Sequence, residues 1–346
     1  MSLLERYSDY LDLPAHTQTV SLMEGSTPLI PMPRLAEALG GEVELYVKFE
    51  GLNPSGSFKD RGMTAAVSEA RGRGAKTVIC ASTGNTAASA AAYAARAGMR
   101  AIVLIPEGKV ASGKLAGALA YGAQVIQVRG SFDEALTMVV NISERSEIAL
   151  VNSINPHRLQ GQKTAAFEIC EQLGGAPDWL CLPVGNAGNI ASYWMGFQEW
   201  DAKHGSGQPQ LLGVQAAGAA PLVAGHPIEK PETAATAIRI GKPARGEQAL
   251  AAAEESGGRI IACSDEEIFA MQAQLASEGL WVEPASAAGA AGLVKEAQAG
   301  QLDVAGKRVV IVCTGHGLKD SAAVSQRGEA VRKIPIDLTI LEGLLS

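Results

Sequence analysis

The sequence predicts an α/β protein of two domains, each with an open, mostly parallel, twisted sheet covered by helices. Short runs rich in β-branched residues alternate with longer runs of helical periodicity along the 346 residues, as in parallel α/β proteins. Several of the short runs are apolar throughout, as expected where helices cover both faces of a sheet. The chain is long enough for two domains, and 47% of its residues are hydrophobic, which provides a sizeable core.

The elements alternate in order, because each short apolar run is bounded by turn-forming residues and followed by a helical pattern. Strands are predicted at 44–49, 77–81, 101–105, 124–129, 149–152, 180–184, 210–215, 259–262 and 308–313, with a last short strand at 334–341. Helices are predicted near 57–73, 85–97, 112–121, 131–146, 157–173, 189–204, 265–277, 285–299 and 318–333. Residues 218–245 are rich in Gly, Pro and Ala and predict a long irregular segment.

The composition of the chain argues against several kinds of ligand and partner. The net charge of −7 argues against nucleic acid and anionic membranes. The five cysteines include no Cys-x-x-Cys pair, so we expect buried free thiols in a reducing compartment. The five histidines show no metal-ligand spacing, so we expect no metal. The first residues carry charges and no apolar run, which predicts no signal peptide and a cytoplasmic location.

One lysine stands where a helix is predicted to begin. Lys59 follows the turn-forming dipeptides Asn53-Pro54 and Ser55-Gly56. An ammonium is disfavoured at this end of the helix macrodipole, so Lys59 is predicted to serve as a neutral amine, the form that makes a Schiff base. These residues leave a structural alternative open, in which Lys59 pairs with Asp60 or lies over the helix face.

Two predicted strands run into loops that suit anions. Ser82, Thr83 and Thr86 stand at one helix start, where amides, hydroxyls and the helix dipole could hold a carboxylate. A simple helix cap is the alternative there. The loop Gly185-Asn186-Ala187-Gly188-Asn189 allows close backbone approach, so its amides could wrap a phosphate. It is neither a Walker A loop nor a Gly-x-Gly-x-x-Gly fingerprint, which suggests a phosphate that is held but not transferred.

Two further strand ends carry candidate groups. Thr314 could meet a ring nitrogen, whereas His316 beside it is more often structural than catalytic. Asn152, Ser153 and Arg158 could form a second anion site, because an arginine fork suits phosphate. Lys114, at another helix start, could add charge to this second anion site. The alternative is a helix cap with a solvated arginine.

Together these features fit pyridoxal 5′-phosphate acting on an amino acid, because they combine a carbonyl-reactive lysine, a phosphate loop, a carboxylate loop and a hydroxyl for a ring nitrogen. The chain resembles the fold type II, or tryptophan synthase β-like, family of pyridoxal-phosphate enzymes, and within it the threonine synthase subgroup. The resemblance spans about 25–320 and rests on stretches in the family's order, 53–62, 82–86, 185–189, 236–241, 283–287 and 314–320.

The resemblance implies a role for each candidate residue. Lys59 would carry the cofactor and move protons, and Asn85 would bind the cofactor's 3′ oxygen. The amides of Gly185, Asn186, Ala187, Gly188 and Asn189 would bind the cofactor's phosphate, and Thr314 would face the pyridine nitrogen. Ser82, Thr83 and Thr86 would hold the substrate carboxylate. The substrate's own phosphate would be bound by Asn152, Ser153 and Arg158, with Lys114 and Asn186 as further candidates.

The resemblance also implies a reaction and an organisation. O-phospho-L-homoserine and water would give L-threonine and phosphate by γ-elimination and β-addition. Residues 1–55 plus 148–346 would form a large domain that binds the cofactor and 56–147 a small one, with the active site in the cleft between them, in a homodimer. Other type II lyases remain alternatives, namely a threonine/serine dehydratase or a cysteate synthase that uses O-phosphoserine. A non-catalytic dinucleotide-binding protein is a further alternative, against which the missing Gly-x-Gly-x-x-Gly fingerprint counts.

Overall fold

The expected α/β architecture is confirmed. The computed structural model describes residues 1–107, 112–130, 132–144, 147–320, 335–336 and 340. Their strands are β1 Leu29–Pro31, β2 Glu44–Phe49, β3 Thr77–Ala81, β4 Arg100–Pro106, β5 Gln124–Val128, β6 Ile148–Leu150, β7 Trp179–Pro183, β8 Gln210–Ala216, β9 Arg259–Cys263 and β10 Arg308–Cys313.

Among the described residues, one α-helix lies between each pair of consecutive strands from β2 to β8, two lie between β8 and β9, and two lie between β9 and β10. The α-helices are α1 Leu3–Arg6, α2 Pro33–Ala38, α3 Lys59–Gly72, α4 Asn85–Ala97, α5 Ser112–Ala120, α6 Phe132–Glu144, α7 His157–Leu173, α8 Gly188–His204, α9 Pro221–Ala224, α10 Gly246–Glu255, α11 Asp265–Ser277 and α12 Ala288–Gln298. Within the described ranges, no helix is both long enough and apolar enough to cross a membrane.

The strands form two sheets. One has the order β1-β2-β10-β7-β8-β9, and the other has the order β5-β4-β3-β6. All neighbours are parallel except β1, which is antiparallel to β2. Because parallel strands end at one edge, the loops after β7 and β10 leave the six-stranded sheet on the same side. The loops after β3 and β6 likewise leave the four-stranded sheet together.

Both faces of each sheet are covered, as the apolar strands predict. Along β10, Val309 and Ile311 belong to one buried cluster, whereas Val310 and Val312 belong to another on the opposite face. The same alternation divides β3 between two clusters of the smaller sheet. These strands therefore have no solvated face, which explains why they read as continuous apolar runs.

Five of the described strands and α-helices were not predicted, namely β1 and the helices α1, α2, α9 and α10. The reason is clearest for β1 and α10, which carry weak signals. The strand β1 has three residues, only partly buried, at the edge of its sheet. The helix α10 buries only three alanines, Ala249, Ala252 and Ala253, so its apolar stripe is hard to recognise. The predicted last strand at 334–341 and most of the predicted helix 318–333 lie outside the described residues. The domain division at 56–147 stays a prediction, although the four-stranded sheet includes Ile148–Leu150, just beyond its boundary.

Candidate active site

Lys59 is the first residue of α3, and the start of this helix is joined to the loop after β10. The Phe58 amide donates to the Thr314 carbonyl at 2.9 Å, and Ser57 pairs with Gly315 in an isolated antiparallel bridge. The amine of Lys59 lies 3.9 Å from the centroid of the Phe58 ring. This backbone pairing brings Lys59 close to Thr314, although the two residues stand 255 positions apart in the sequence.

The environment of Lys59 favours the neutral amine. The pKa of Lys59 is lowered to about 7: burial lowers it most, the positive charge of Arg158 adds to this effect, and Glu283 opposes it. Asp60, the residue that could have paired with Lys59, is instead bound by other groups. Its carboxylate accepts from the Ser55 amide at 2.6 Å and from the Ser89 hydroxyl at 2.5 Å.

A buried ion network anchors the helix that carries Lys59. Arg61 binds Glu50 through Nε at 2.6 Å and Nη2 at 2.7 Å. It also binds Glu168 of α7 through Nη1 at 2.8 Å and Nη2 at 2.7 Å. Lys48 of β2 donates to the same Glu168 at 2.9 Å. Since two cations face two carboxylates, the network is electrically neutral, and it ties α3 to β2 and α7.

The predicted carboxylate loop lies at the start of α4. The N-cap residue is Gly84, which has no side chain with which to cap the helix, so the capping alternative fails. The Gly84 amide donates to the Ser82 hydroxyl at 3.2 Å. Ser82, Thr83 and Thr86 lie together here, and all three are partly exposed. The helix start therefore offers backbone amides and hydroxyls to an anion.

Asn85, the first residue of α4, binds a carboxylate that the sequence did not single out as functional. Its Nδ2 donates to Glu283 Oε1 at 2.8 Å and Oε2 at 3.1 Å. Burial raises the pKa of Glu283, whereas the Asn85 bond, Lys319 and Lys59 lower it. Glu283 lies within one of the stretches that resemble the family, but an acidic residue before a proline is no signal by itself.

The predicted phosphate loop lies between β7 and α8. The N-cap of α8 is Ala187, which has φ +65°. Because an alanine side chain has no hydrogen-bond acceptor, the first amides of the helix are not capped by it. Asn189 Nδ2 is buried with no hydrogen-bond partner among the described residues. A Cβ on Gly185 would lie 3.1 Å from the Ile238 Cα, so this position requires glycine for close packing. Uncapped amides beside an unsatisfied buried amide fit a bound phosphate.

Thr314 is paired with a second hydroxyl. The Ser286 and Thr314 hydroxyl oxygens lie 2.9 Å apart, and Ser286 Oγ also accepts from the Gly315 amide at 2.8 Å. Both side chains are buried. Either hydroxyl can donate to the other, and Ser286 Oγ can also donate to the Gly315 carbonyl at 3.3 Å. When Ser286 donates to Thr314, the Thr314 hydrogen is left for a ring nitrogen. Sequence reasoning missed Ser286, because a serine between alanines gives no signal.

His316 takes no part in this constellation. Its Nδ1 accepts from the Leu318 amide at 3.1 Å, and its ring stacks on Phe49 with centroids 5.9 Å apart. Burial lowers the pKa of His316. The neutral, packed imidazole matches the structural interpretation of this residue.

Arg158 is buried rather than solvated, being only 1% exposed. Its Nη1 donates to the Val151 carbonyl at 3.2 Å, whereas its Nε has no hydrogen-bond partner within the described ranges. The pKa of Arg158 is lowered to about 10: burial lowers it most, Cys80 opposes this effect and Arg245 adds to it. Arg158 has no carboxylate partner among the described residues, and a buried, unpaired guanidinium is costly, so this position favours an incoming anion.

The other members of the second anion site are placed differently. The Asn152 side chain makes two hydrogen bonds to the backbone of Ala81. Its Oδ1 accepts from the Ala81 amide and its Nδ2 donates to the Ala81 carbonyl, both at 2.9 Å. Its contact with a substrate phosphate stays a prediction. Arg245, which sequence reasoning missed, donates to the Ser153 carbonyl at 3.2 Å. Lys114 lies in α5, and its side chain lies outside what the structure describes.

The described residues contain no group of three or more His, Cys, Asp or Glu side chains that could hold a metal ion. All five cysteines, Cys80, Cys170, Cys181, Cys263 and Cys313, are buried and free. The site combines the Lys59 amine, an uncapped helix start beside Asn189, the buried guanidinium of Arg158, the start of α4 and a hydroxyl pair.

Comparison with known proteins gives concordant matches. A family model described as pyridoxal-phosphate dependent enzyme matches residues 20–315. A threonine synthase of Synechocystis sp. is 56% identical over 333 residues, covering 95% of this chain and 86% of that protein. A threonine synthase of Bacillus sp. is 56% identical over 319 residues, covering 92% of this chain and 90% of that protein. The solved threonine deaminase isoform 2 from Solanum lycopersicum has a TM-score of 0.74 at 24% identity, covering 93% of this chain and 86% of that one; this likeness bears on the fold alone.

Proposed function

The chain belongs to the pyridoxal-phosphate-dependent enzyme family, and on that premise we propose that it is a threonine synthase. It converts O-phospho-L-homoserine and water to L-threonine and inorganic phosphate. The proposal is supported by 56% identity to threonine synthases over more than nine-tenths of the chain. The structural observation that favours a phosphorylated substrate is Arg158, a buried cation without a carboxylate partner among the described residues, close enough to lower the pKa of Lys59.

The residues of the site fit the cofactor. The amides at the start of α8, with Asn189 Nδ2, would hold its phosphate, and the Thr314 hydroxyl would face its pyridine nitrogen. Asn85 would bind its 3′ oxygen, and Lys59 would bind its carbonyl carbon. When bound, pyridoxal phosphate supplies an electron sink for negative charge on the substrate. A threonine hydroxyl cannot keep a pyridine nitrogen protonated as a carboxylate would, which suits elimination better than transamination.

The remaining side chains act on the substrate. The start of α4, with Ser82, Thr83 and Thr86, would hold the α-carboxylate. The Lys59 amine, with its pKa near 7, would accept protons from Cα and Cβ and return them. Phosphate leaves from Cγ, and Arg158 would offset the charge of the leaving group. Water then adds at Cβ, so that the atoms of phosphohomoserine and water equal those of threonine and phosphate.

The decisive experiment measures phosphate release from O-phosphohomoserine and, separately, from O-phosphoserine, with analysis of the amino-acid products. We expect threonine from phosphohomoserine in equal amount to the phosphate released. Phosphate without threonine, or phosphate from phosphoserine alone, would refute the assignment. Conversion of threonine itself to an oxo acid and ammonia would identify a dehydratase, the alternative that needs no second anion site.

We also propose a cytoplasmic homodimer with a small domain at 56–147 and a large domain formed by 1–55 and 148–346. The five buried free thiols support a reducing compartment, and the family resemblance supports the dimer. The two separate sheets support the division into domains. Light scattering of the purified protein measures the oligomeric state, and a monomer at micromolar concentration would contradict the dimer.

A further inference from the structure

Glu283 is a buried carboxylate to which the proposed reaction gives no role. Only 5% of the residue is exposed. Its amide donates to the Gly315 carbonyl at 3.1 Å, and its carbonyl accepts from the Ser286 amide at 2.9 Å. A Cβ on Gly315 would collide with Glu283 Oε1. The carboxylate is therefore held in one place, against the loop that carries Thr314.

The carboxylate determines how the Asn85 amide is turned. Asn85 Nδ2 lies 2.8 Å from Oε1 and 3.1 Å from Oε2 of Glu283, so the NH2 group must face the acid, since an amide oxygen there would be repelled. The two hydrogens of the Asn85 amide nitrogen point in different directions, whereas the two oxygens of the Glu283 carboxylate lie close together. Glu283 therefore accepts one of these hydrogens, and the other can be donated to a second acceptor.

Charged groups from several elements face Glu283. Burial and Asp320 raise the pKa of Glu283, whereas the Asn85 hydrogen bond, Lys319 after β10 and Lys59 at the start of α3 favour its ionised form. The Lys319 amine is itself fixed, because it donates to the Ser55 carbonyl at 2.8 Å. Glu283 in turn raises the pKa of Lys59 against the effects of burial and Arg158. Its charge therefore acts on the reactive amine as well as on Asn85.

We propose that Glu283 is a positioning residue for the reaction: it holds the Asn85 amide in the orientation that binds the cofactor, and it supplies the negative charge beside Lys59. The proposal rests on the cofactor of the proposed function but not on its substrate. It predicts two separable effects, one transmitted through Asn85 and one exerted directly on Lys59. A carboxylate with a merely structural role would produce neither.

The first effect is measured by titrating the apoprotein with pyridoxal 5′-phosphate, in wild type, Glu283→Gln, Asn85→Ala and the double variant. We expect each single variant to weaken binding about tenfold, equivalent to about 1.4 kcal/mol. The double variant should bind no more weakly than Asn85→Ala alone, because without the amide Glu283 has nothing to orient. Glu254→Gln removes the same charge from an exposed residue of α10 and should leave binding unchanged. Additive losses in the double variant would overturn the positioning role.

The second effect is measured on the apoprotein without any cofactor, as the pH dependence of Lys59 modification by an amine reagent. In Glu283→Gln the midpoint should fall below that of wild type, because the carboxylate no longer stabilises the ammonium. This measurement also covers the case in which Asn85→Ala does not fold. An unchanged midpoint together with unchanged cofactor affinity in Glu283→Gln would refute the proposal. Wild-type protein that binds the cofactor but makes no threonine would instead refute only the substrate assignment.

Discussion

The change Glu168→Gln is the most direct test of how α3 is anchored. The Glu168 carboxylate accepts four hydrogen bonds, from Lys48 Nζ, from Arg61 Nη1 and Nη2, and from the Ser26 amide, at 2.7–2.9 Å. Glutamine has nearly the same shape but carries no charge and only one acceptor oxygen. The variant therefore leaves Lys48, Arg61 and Glu50 with one uncompensated positive charge in a fully buried site.

The expected loss follows from the burial of all four groups. Removing one partner of a buried ion pair costs about 3–5 kcal/mol, against a total free energy of unfolding of about 5–15 kcal/mol. Burial raises the pKa of Glu168, but Arg61 and Lys48 outweigh this effect and hold the pKa well below its usual range. A carboxyl whose folded pKa is lowered contributes stability that is present above its unfolded pKa of about 4.3 and is lost as the pH falls below it. The difference between wild type and variant should therefore shrink in acid.

Urea denaturation followed by circular dichroism measures the free energy of unfolding of both proteins at pH 7 and pH 4. The matched control is Glu44→Gln, which removes an exposed carboxylate 2.7 Å from Arg308. Surface pairs contribute at most about 1 kcal/mol, so the control should unfold nearly as wild type. A loss below about 1 kcal/mol in Glu168→Gln, or a loss equal to that of the control, would show that the network does not anchor the helix.

Three further predictions concern the site. Lys59→Ala should abolish threonine formation and leave no cofactor that borohydride can fix to the protein; cofactor retained covalently in that variant would show that another lysine carries it. Arg158→Ala should raise the KM for phosphohomoserine about tenfold or more, as expected for a lost charged hydrogen bond. The visible absorption of the cofactor should not change. Equal KM values in the variant and the wild type would show that Arg158 does not belong to the substrate's phosphate site. The rate at which the apoprotein captures pyridoxal phosphate should rise with pH through about 7, because the neutral Lys59 amine reacts and its ammonium does not; a flat profile between pH 6 and 8 would contradict the lowered pKa.

Much of the fold could be predicted because its signals are local. The strands β3 and β10 coincide with apolar runs of the sequence, since a strand buried on both faces consists mostly of apolar residues. By contrast, β1 is a three-residue strand at the edge of its sheet, where it pairs with β2. The helix α10 buries only alanines. Neither has a sequence pattern strong enough to distinguish it from a loop.

The sequence by itself determined the chemistry that the site can offer. Turn formers before Lys59, glycines at 185 and 188 and a threonine after β10 are short-range patterns, and each places its group at a strand end or a helix start. It also determined the family, because those stretches occur in a recognisable order.

Only the tertiary structure decided which groups meet. Asn85 and Glu283 stand 198 positions apart, and Arg61 and Glu168 stand 107 apart, so their pairing depends on how two sheets and their helices pack. The burial of the Lys59 amine and of Arg158 was equally invisible in the sequence, and this burial is the main reason why their pKa values are lowered. A charge costs most where water is excluded, and the packed chain alone specifies where that is.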